Sequence, residues 1–520
     1  MIKLIIGHAT HMYWRSKVAV TTVLSHKPQY ERNSKHLAFL AFTVLVFSIT
    51  SCKKLVEVKT PNTQITSDNV YNNDATAIAV MNGLYSKLSN VSSYPSTSSI
   101  STISLWAGLS ADEFTLWYNT DNSALKQYYQ NALRASTSGV GSEFWANTYP
   151  LIYTCNAAIE GLNKSSSLSL SVKRQLLGEA KFTRAYFYFY LVNLYGDVPI
   201  VLTTDYSVNS LISRSPVAKV YEQIRLDLND AKDLLANGYV KNDAVSLYSS
   251  SDAERVRPSK AAASTLLSRV GLYTGDWAKA ESEATIVISN TDLYDTVPLN
   301  QVFLKNSKEA IWQIQDVNNR PTNTTEGIFF NLTVAPTGVG SYHTVYLSQS
   351  LLNSFEVDDQ RKSDGNWINS YTDASGTYYY PYKYKIGEST APVDEYPMYL
   401  RLGELYLIRA EARARQNNLS GAIADLDVIR NRAGLPLVAN TNPGINQTSL
   451  LDAINHERRV ELFSESGHRW FDLKRTGTVD AVMSTATIIK GGSWQSYQQL
   501  YPVPASDLLK NPNMTPSVGY

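Results

Sequence analysis

Two stretches of this chain repeat one pattern, and the pattern limits its architecture more than any other feature. In LLSRVGLYTGDWAKAESEATIVI (266–288) and LIRAEARARQNNLSGAIADLDVIRNRAG (407–434), a helical period stops at a short polar turn and then resumes. Gly275-Asp276-Trp277 followed by Ala280 in the first corresponds to Asn417-Asn418-Leu419 followed by Ala422 in the second. Small residues beyond such a turn let two helices approach closely while a large one wedges the turn. Each stretch therefore predicts a helix pair that buries its apolar faces against neighbouring pairs.

Helical period dominates the first half as well. GSEFWANTYPLIYTCNAAIEGL (141–162) places Phe144, Tyr149, Ile152, Tyr153, Ala157 and Ile159 on one side, and VKRQLLGEAKFTRAYFYFYLVNLYG (172–196) does the same with Leu177, Ala180, Arg184, Tyr188 and Leu191. Gly196 closes the second helix, and the proline of YGDVP (195–199) forbids its continuation. Cys155, inside the first, reads as a small buried thiol. Residues 309–399 are rich in Asn, Gly, Thr and Tyr, with apolar runs such as EAIWQIQ (309–315) that suit strands and put Trp312 in the core. The fold class is mainly α: stacked helix pairs carrying a few short strands and an irregular, loop-rich portion, the expected place for ligand binding.

The 520 residues are 43% hydrophobic, enough for a sizeable core. Lys and Arg (47) balance Asp and Glu (46), so no broad basic surface selects nucleic acid as a partner. Two cysteines and seven histidines show no HExxH or CxxC spacing, so no metal, no cofactor and no catalytic residue is expected. The 34 Tyr and 9 Trp suit a surface that binds something partly apolar and partly wet.

The stretch LAFLAFTVLVFSITSCKK (37–54) is an uncharged run ending at Cys52. It is shorter than the ~20 apolar residues of a membrane span, and its charged entry ERNSKH (31–36) gives the layout of a secretory signal. Ile49-Thr50-Ser51 ahead of Cys52 resembles a bacterial lipoprotein box, in which the thiol is acylated and anchors the mature chain. Each buried acyl methylene adds ~0.8 kcal/mol of membrane affinity. The expected organisation is a removable extension and signal over 1–51, a lipidated tether over 52–67, a helical half over 68–258 and a second half with the helix pairs over 259–520.

Five segments in order carry a family resemblance: the box at Cys52, GEAKFTRAYFYFYLVNLYGDVPIV (178–201), YLIRAEARARQNN with AIADLDVIRNRAGLP (406–436), ERRVELFSESGHRWFDLKRTG (457–477) and the tail YPVPASDLLKNPNMTPSVGY (501–520). Together they resemble the SusD/RagB family of outer-membrane, nutrient-binding lipoproteins of Bacteroidetes. The resemblance implies tetratricopeptide-like helix pairs, a glycan ligand, anchoring at the cell surface and a SusC-like TonB-dependent transporter as partner. In ERRVELFSESGHRWFDLKR, alternating Arg458, Glu461, Arg469, Asp472 and Lys474 amid Trp470 and Phe471 predict a partly buried ion network around an aromatic plug.

Sugar rings present apolar faces and hydroxyl rims, so a site needs flat aromatics beside groups that hydrogen-bond hydroxyls. SLWAGLSADEFTLWYNTDNSA (104–124) offers Trp106, Asp112, Glu113, Trp117, Tyr118 and Asn119, and the loop-rich segment adds Asn319, Arg320 and Tyr342. Two other readings compete with a non-catalytic glycan receptor. One is the same architecture capturing peptides or another nutrient. The other is a glycoside hydrolase, which needs paired carboxyls ~5–9 Å apart in a cleft.

Overall fold

An acidic residue in the first turn opens the first described helix, α1 (Asp74–Ser89), where the N-terminal dipole favours negative charge. The computed structural model describes residues 70–89, 101–135, 139–250, 252–317, 321–338, 343–388 and 391–520. The expected signal, Cys52 and the tether lie outside them, as does Asp68. Next come α2 (Ser101–Ser110) and α3 (Ser123–Tyr129), the latter capped by Asn122, whose Oδ1 accepts from Leu125 N–H at 3.0 Å. Two long helices follow, α4 (Glu143–Lys164) and α5 (Leu170–Tyr195). Gly196 stops α5 at φ 74°, a conformation that costs a side-chain-bearing residue strain.

After the single turn α6 (Tyr206–Asn209) and α7 (Val217–Leu234), the first repeated stretch forms α8 (Lys260–Thr274) and α9 (Trp277–Ile288). Gly275 takes φ 73° at the turn and Asp276 caps α9 by accepting from Lys279 N–H at 3.1 Å. The close approach is real: a Cβ at Gly271 would lie 2.8 Å from the Ala280 backbone nitrogen. The second stretch forms α10 (Leu402–Arg415) and α11 (Leu419–Arg432), with Asn417 at φ 64° and Asn418 capping through Gly421 N–H. Helices α12 (Gln447–Glu461), α13 (His468–Arg475), α14 (Val479–Ile489) and α15 (Ala505–Lys510) follow, and the short helices Thr325–Phe330, Gln349–Leu352 and Val438–Thr441 lie in the connections. Packing runs in sequence: α4 on α5, α5 on α7, then α8, α9 and α10 in turn, with α11 and α12 on α10. Each helix thus covers its neighbour's apolar face, the logic of a helical-repeat stack. None of the described helices is long and apolar enough to cross a membrane.

Short antiparallel strand pairs decorate this scaffold. β1 (Phe114–Leu116) pairs with β3 (Val345–Leu347), β2 (Ala310–Gln313) with β6 (Met398–Arg401), and β4 (Ile368–Asp373) with β5 (Gly376–Pro381). Trp312 on β2 is fully buried. A buried ion network fastens the strands to the helices: Arg401 donates to Glu309 (3.0 Å), Glu461 (2.7 Å) and Glu465 (2.7 Å), Arg361 donates to Glu461 (3.0 Å), and Arg432 holds Glu309 and Glu461 together. Burial alone would raise the Glu461 carboxyl, but Arg432, Arg401 and Arg361 hold it far below the usual range. Lys474 departs from the expected network, since its ammonium goes to the Asn193 carbonyl instead of a carboxylate.

One helix face differs from its expected packing. On α4, Trp145 is buried, Tyr149 is half-buried and Tyr153 is exposed. Four-residue steps overshoot a turn of 3.6 residues by ~40°, so an i, i+4, i+8 stripe rotates off the buried side.

Candidate functional site

The site is built at the end of α2. Trp106 lies inside that helix with its ring stacked on Tyr128 at 5.3 Å and 4° between planes, so it fills the core and offers no face to solvent. The helix stops where its last carbonyls run out of partners, and Lys490 supplies them: its buried Nζ donates to the carbonyls of Leu109 (2.9 Å), Ser110 (3.1 Å) and Ala111 (2.7 Å). Asn131 donates a further hydrogen bond to Ser110 O at 3.0 Å.

Beyond this clamp the chain turns through Asp112 and Glu113, and both are interior. Asp112 accepts from Arg469 Nε (2.7 Å) and Nη2 (3.0 Å) and from Arg459 Nη2 (2.8 Å). Burial pushes against this charge, but Arg469 and then Arg459 outweigh it and hold the carboxyl at about 2. Glu113 accepts from Ser464 N–H at 3.2 Å, and burial, followed by the neighbouring Asp112 charge, pushes it up to about 8. Sequence placed these two among the ligand contacts; the structure gives Asp112 to the ion network and Glu113 to a buried backbone contact. What misled was composition: acidic groups beside aromatics read as a sugar site until the arginines of Asp112 and the Ser464 amide of Glu113, more than 340 positions away, are in view.

β1 then carries the chain outward. Its register against β3 is Phe114↔Leu347, Thr115↔Tyr346 and Leu116↔Val345, and Trp117 N–H extends the pairing to Thr344 O at 2.7 Å. Thr120 N–H donates back to Trp117 O at 3.1 Å, closing a turn whose two central residues are Tyr118 and Asn119. Tyr118 is 80% exposed and Asn119 is exposed beside it. Gly338 seats this turn, since a Cβ there would strike the Asn119 carbonyl at 2.2 Å.

Under the turn lies an aromatic cluster. The half-buried Trp117 ring sits 4.7 Å from Tyr118 and edge-on to Tyr378 at 5.8 Å, and Tyr346 meets Tyr378 at 5.3 Å. The β4–β5 hairpin supplies the rest: Tyr371 stands opposite Tyr378, and Tyr380 meets Tyr382 edge-on at 5.9 Å. Tyr378 and Tyr380 alternate with Tyr379, which points to the other face. Sequence reasoning missed these hairpin tyrosines individually; the alternation in GTYYYPY was the available signal, but which face met Trp117 depends on a register fixed by contacts far away. Asn319, Arg320 and Tyr342 lie outside the described residues. The structure therefore brings together Trp117, Tyr118 and Asn119 of the expected set, and adds Tyr346, Tyr371 and Tyr382 as half-buried rings around them.

His468, Glu457 and Cys155 are interior groups. His468 is buried with Nδ1 4.0 Å from Glu404 Oε1, and desolvation lowers it to about 4 despite that carboxylate. Glu457 is held by Arg430 at 3.2 Å. Cys155 is fully buried, and burial raises its thiol to about 12. Among the described residues no group of His, Cys, Asp or Glu is arranged to hold a metal ion.

A stack of helix pairs holding an aromatic, hydroxyl-rich surface on a strand-and-loop cap defines a ligand-binding scaffold. Residues 360–520 match a family model described as the SusD family, and residues 107–272 match one described as "Starch-binding associating with outer membrane". The chain belongs to the SusD/RagB family. It is 25% identical to SusD-like protein P2 of Formosa agariphila over 526 residues, covering 92% of this chain and 98% of that protein. A crystal structure of a SusD superfamily protein from Parabacteroides distasonis superposes with a TM-score of 0.70 at 24% identity, covering 88% of this chain and 100% of that one. A laminarin-binding SusD-like protein superposes with a TM-score of 0.65 at 21% identity, covering 86% of this chain and 100% of that one.

Proposed function

We propose that this protein is a non-catalytic glycan receptor of the outer membrane, lipid-anchored through Cys52, that delivers oligosaccharide to a SusC-like TonB-dependent transporter. The observation that carries the proposal is the Trp117–Tyr118–Asn119 turn: an exposed ring, a half-buried indole beneath it and an amide at the same tip. Sugar faces stack on such rings while hydroxyls reach the amide and the surrounding phenols. The starch-binding description of the matching family model and the laminarin-binding structural relative support this ligand class, and the same description supports the outer-membrane location.

The carboxyls speak for binding over hydrolysis. Inverting and retaining mechanisms both need two carboxyl groups facing one glycosidic bond. Asp112 and Glu113, the acidic pair closest to the turn in sequence, are committed to arginines and to a backbone amide. Capture of peptides would favour small and charged lining over exposed rings. Calorimetric titration against neutral oligosaccharides and mixed peptides tests the proposal: saturable binding of one glycan class supports it, and binding of peptides alone replaces it.

A further inference from the structure

A second hollow, formed by none of the residues of the Trp117 turn, has its own aromatic floor. It measures about 370 Å³ and lies where α4, the segment after α5 and α15 meet. Its floor is the rotating stripe of α4: Trp145, whose ring packs 5.0 Å from Tyr149, then Tyr149, then Tyr153, which is half in solvent. Tyr206 also lines the hollow. Asp205 opens that single turn by accepting from Ser207 N–H (2.8 Å) and Oγ–H (2.6 Å), and the Tyr206 ring is left 81% exposed.

The third wall is polar. Asp507 accepts from the Trp145 indole N–H at 2.9 Å, which fixes the floor, and Lys510 and Asn511 continue along the same side. Asn511 anchors that wall by donating to Ile212 O at 2.8 Å. Among the described residues, the Tyr153 and Tyr206 hydroxyls have no hydrogen-bond partner. The hollow thus combines flat rings, two available phenols, an ammonium, an amide and a carboxylate, in a volume at the lower end of the ~300–1,000 Å³ typical of small-ligand sites.

We propose that this hollow is a second saccharide site, taking one or two pyranose rings between Tyr153 and Tyr206 with their hydroxyls directed at Asp507, Lys510 and Asn511. A purely apolar occupant would cover the Lys510 ammonium and the remaining hydrogen-bonding capacity of Asp507 and Asn511, which costs free energy, whereas a ring with an apolar face and a hydroxyl edge satisfies both walls. The proposal borrows only the ligand class from the glycan-receptor reading and uses none of its residues.

The test uses the full-length protein carrying Trp117→Ala and Tyr118→Ala, so that the first site is disabled. Saturation-transfer NMR is run against neutral mono-, di- and trisaccharides of gluco, galacto, manno and xylo configuration. The expected result is transfer to at least one sugar that falls at least tenfold when Tyr153→Ala and Tyr206→Ala are added. Both rings are exposed, so thermal melting should be unchanged by their removal. No transfer from any sugar, transfer that survives loss of Tyr153 and Tyr206, or selective capture of aromatic peptides at this hollow overturns the proposal. The receptor reading is judged separately, by glycan binding in the Tyr153→Ala, Tyr206→Ala protein with the Trp117 turn intact.

Discussion

Asp112 and Arg469 are 357 positions apart and share two hydrogen bonds, at 2.7 and 3.0 Å, in the interior beside the proposed ligand turn. This pair ties the segment that carries Trp117 to the helix of the GHRWFDLKR motif, so the motif's charges help to hold the Trp117 turn in place.

Removing one partner of a buried ion pair leaves the other charge uncompensated. Asp112→Asn should therefore lower unfolding free energy by about 3 kcal/mol, with Arg469 and Arg459 both left facing a neutral amide. Chemical denaturation measures this. A variant as stable as wild type, with ligand affinity lost, would place Asp112 back among the ligand contacts.

Glu113 makes stability depend on pH in the opposite sense from a paired carboxylate. Burial, reinforced by Asp112, raises it to about 8 from its ordinary 4.5, so the native state holds a proton that the unfolded chain releases. Its contribution is fully present below about 4.5 and is lost as pH rises through 8. Glu113→Gln, which stays neutral, should melt with wild type near pH 4.5 and above it by a margin that widens toward pH 8. Parallel melting curves across that range would contradict the buried, protonated state.

Lys490 gives all of its donors to the end of α2. Lys490→Met should cost about 2 kcal/mol, because the Leu109 and Ala111 carbonyls lose this donor and Ser110 keeps only Asn131, and should also weaken glycan binding by loosening the turn beyond them. Calorimetry and melting on the same preparation separate the two effects. Unchanged affinity in a destabilised variant would show that the clamp supports the core alone.

The turn between α8 and α9 depends on the smallest side chain. Gly271→Val places carbon against the Ala280 backbone, which has no flexible end to swing away, and should destabilise by about 1–3 kcal/mol. Urea denaturation reports the change.

The helices were legible in sequence because their signals are local: Gly275 and Asp276, or Asn417 and Asn418, act on residues within one turn. The family followed from five such segments in order. The proposed binding surface was legible only in part. Trp117, Tyr118 and Asn119 sit on a turn whose tip is exposed, but Trp106, eleven positions before Trp117, has the same composition around it and stacks on Tyr128 in the core. Distinguishing them required knowing where α2 ends, and that is set by Lys490 from the far end of the chain. Tyr378 and Tyr380 reached Trp117 through strand register, which no local pattern specifies.

Glycan is proposed to bind on the Trp117–Tyr118 turn. Isothermal titration of the best-binding oligosaccharide into wild type, Trp117→Ala and Tyr118→Ala tests it most directly. Each substitution should weaken binding about tenfold, near 1.4 kcal/mol, with melting temperature almost unchanged for the exposed Tyr118. Affinity equal to wild type in both variants would contradict the assignment of this turn as the glycan site.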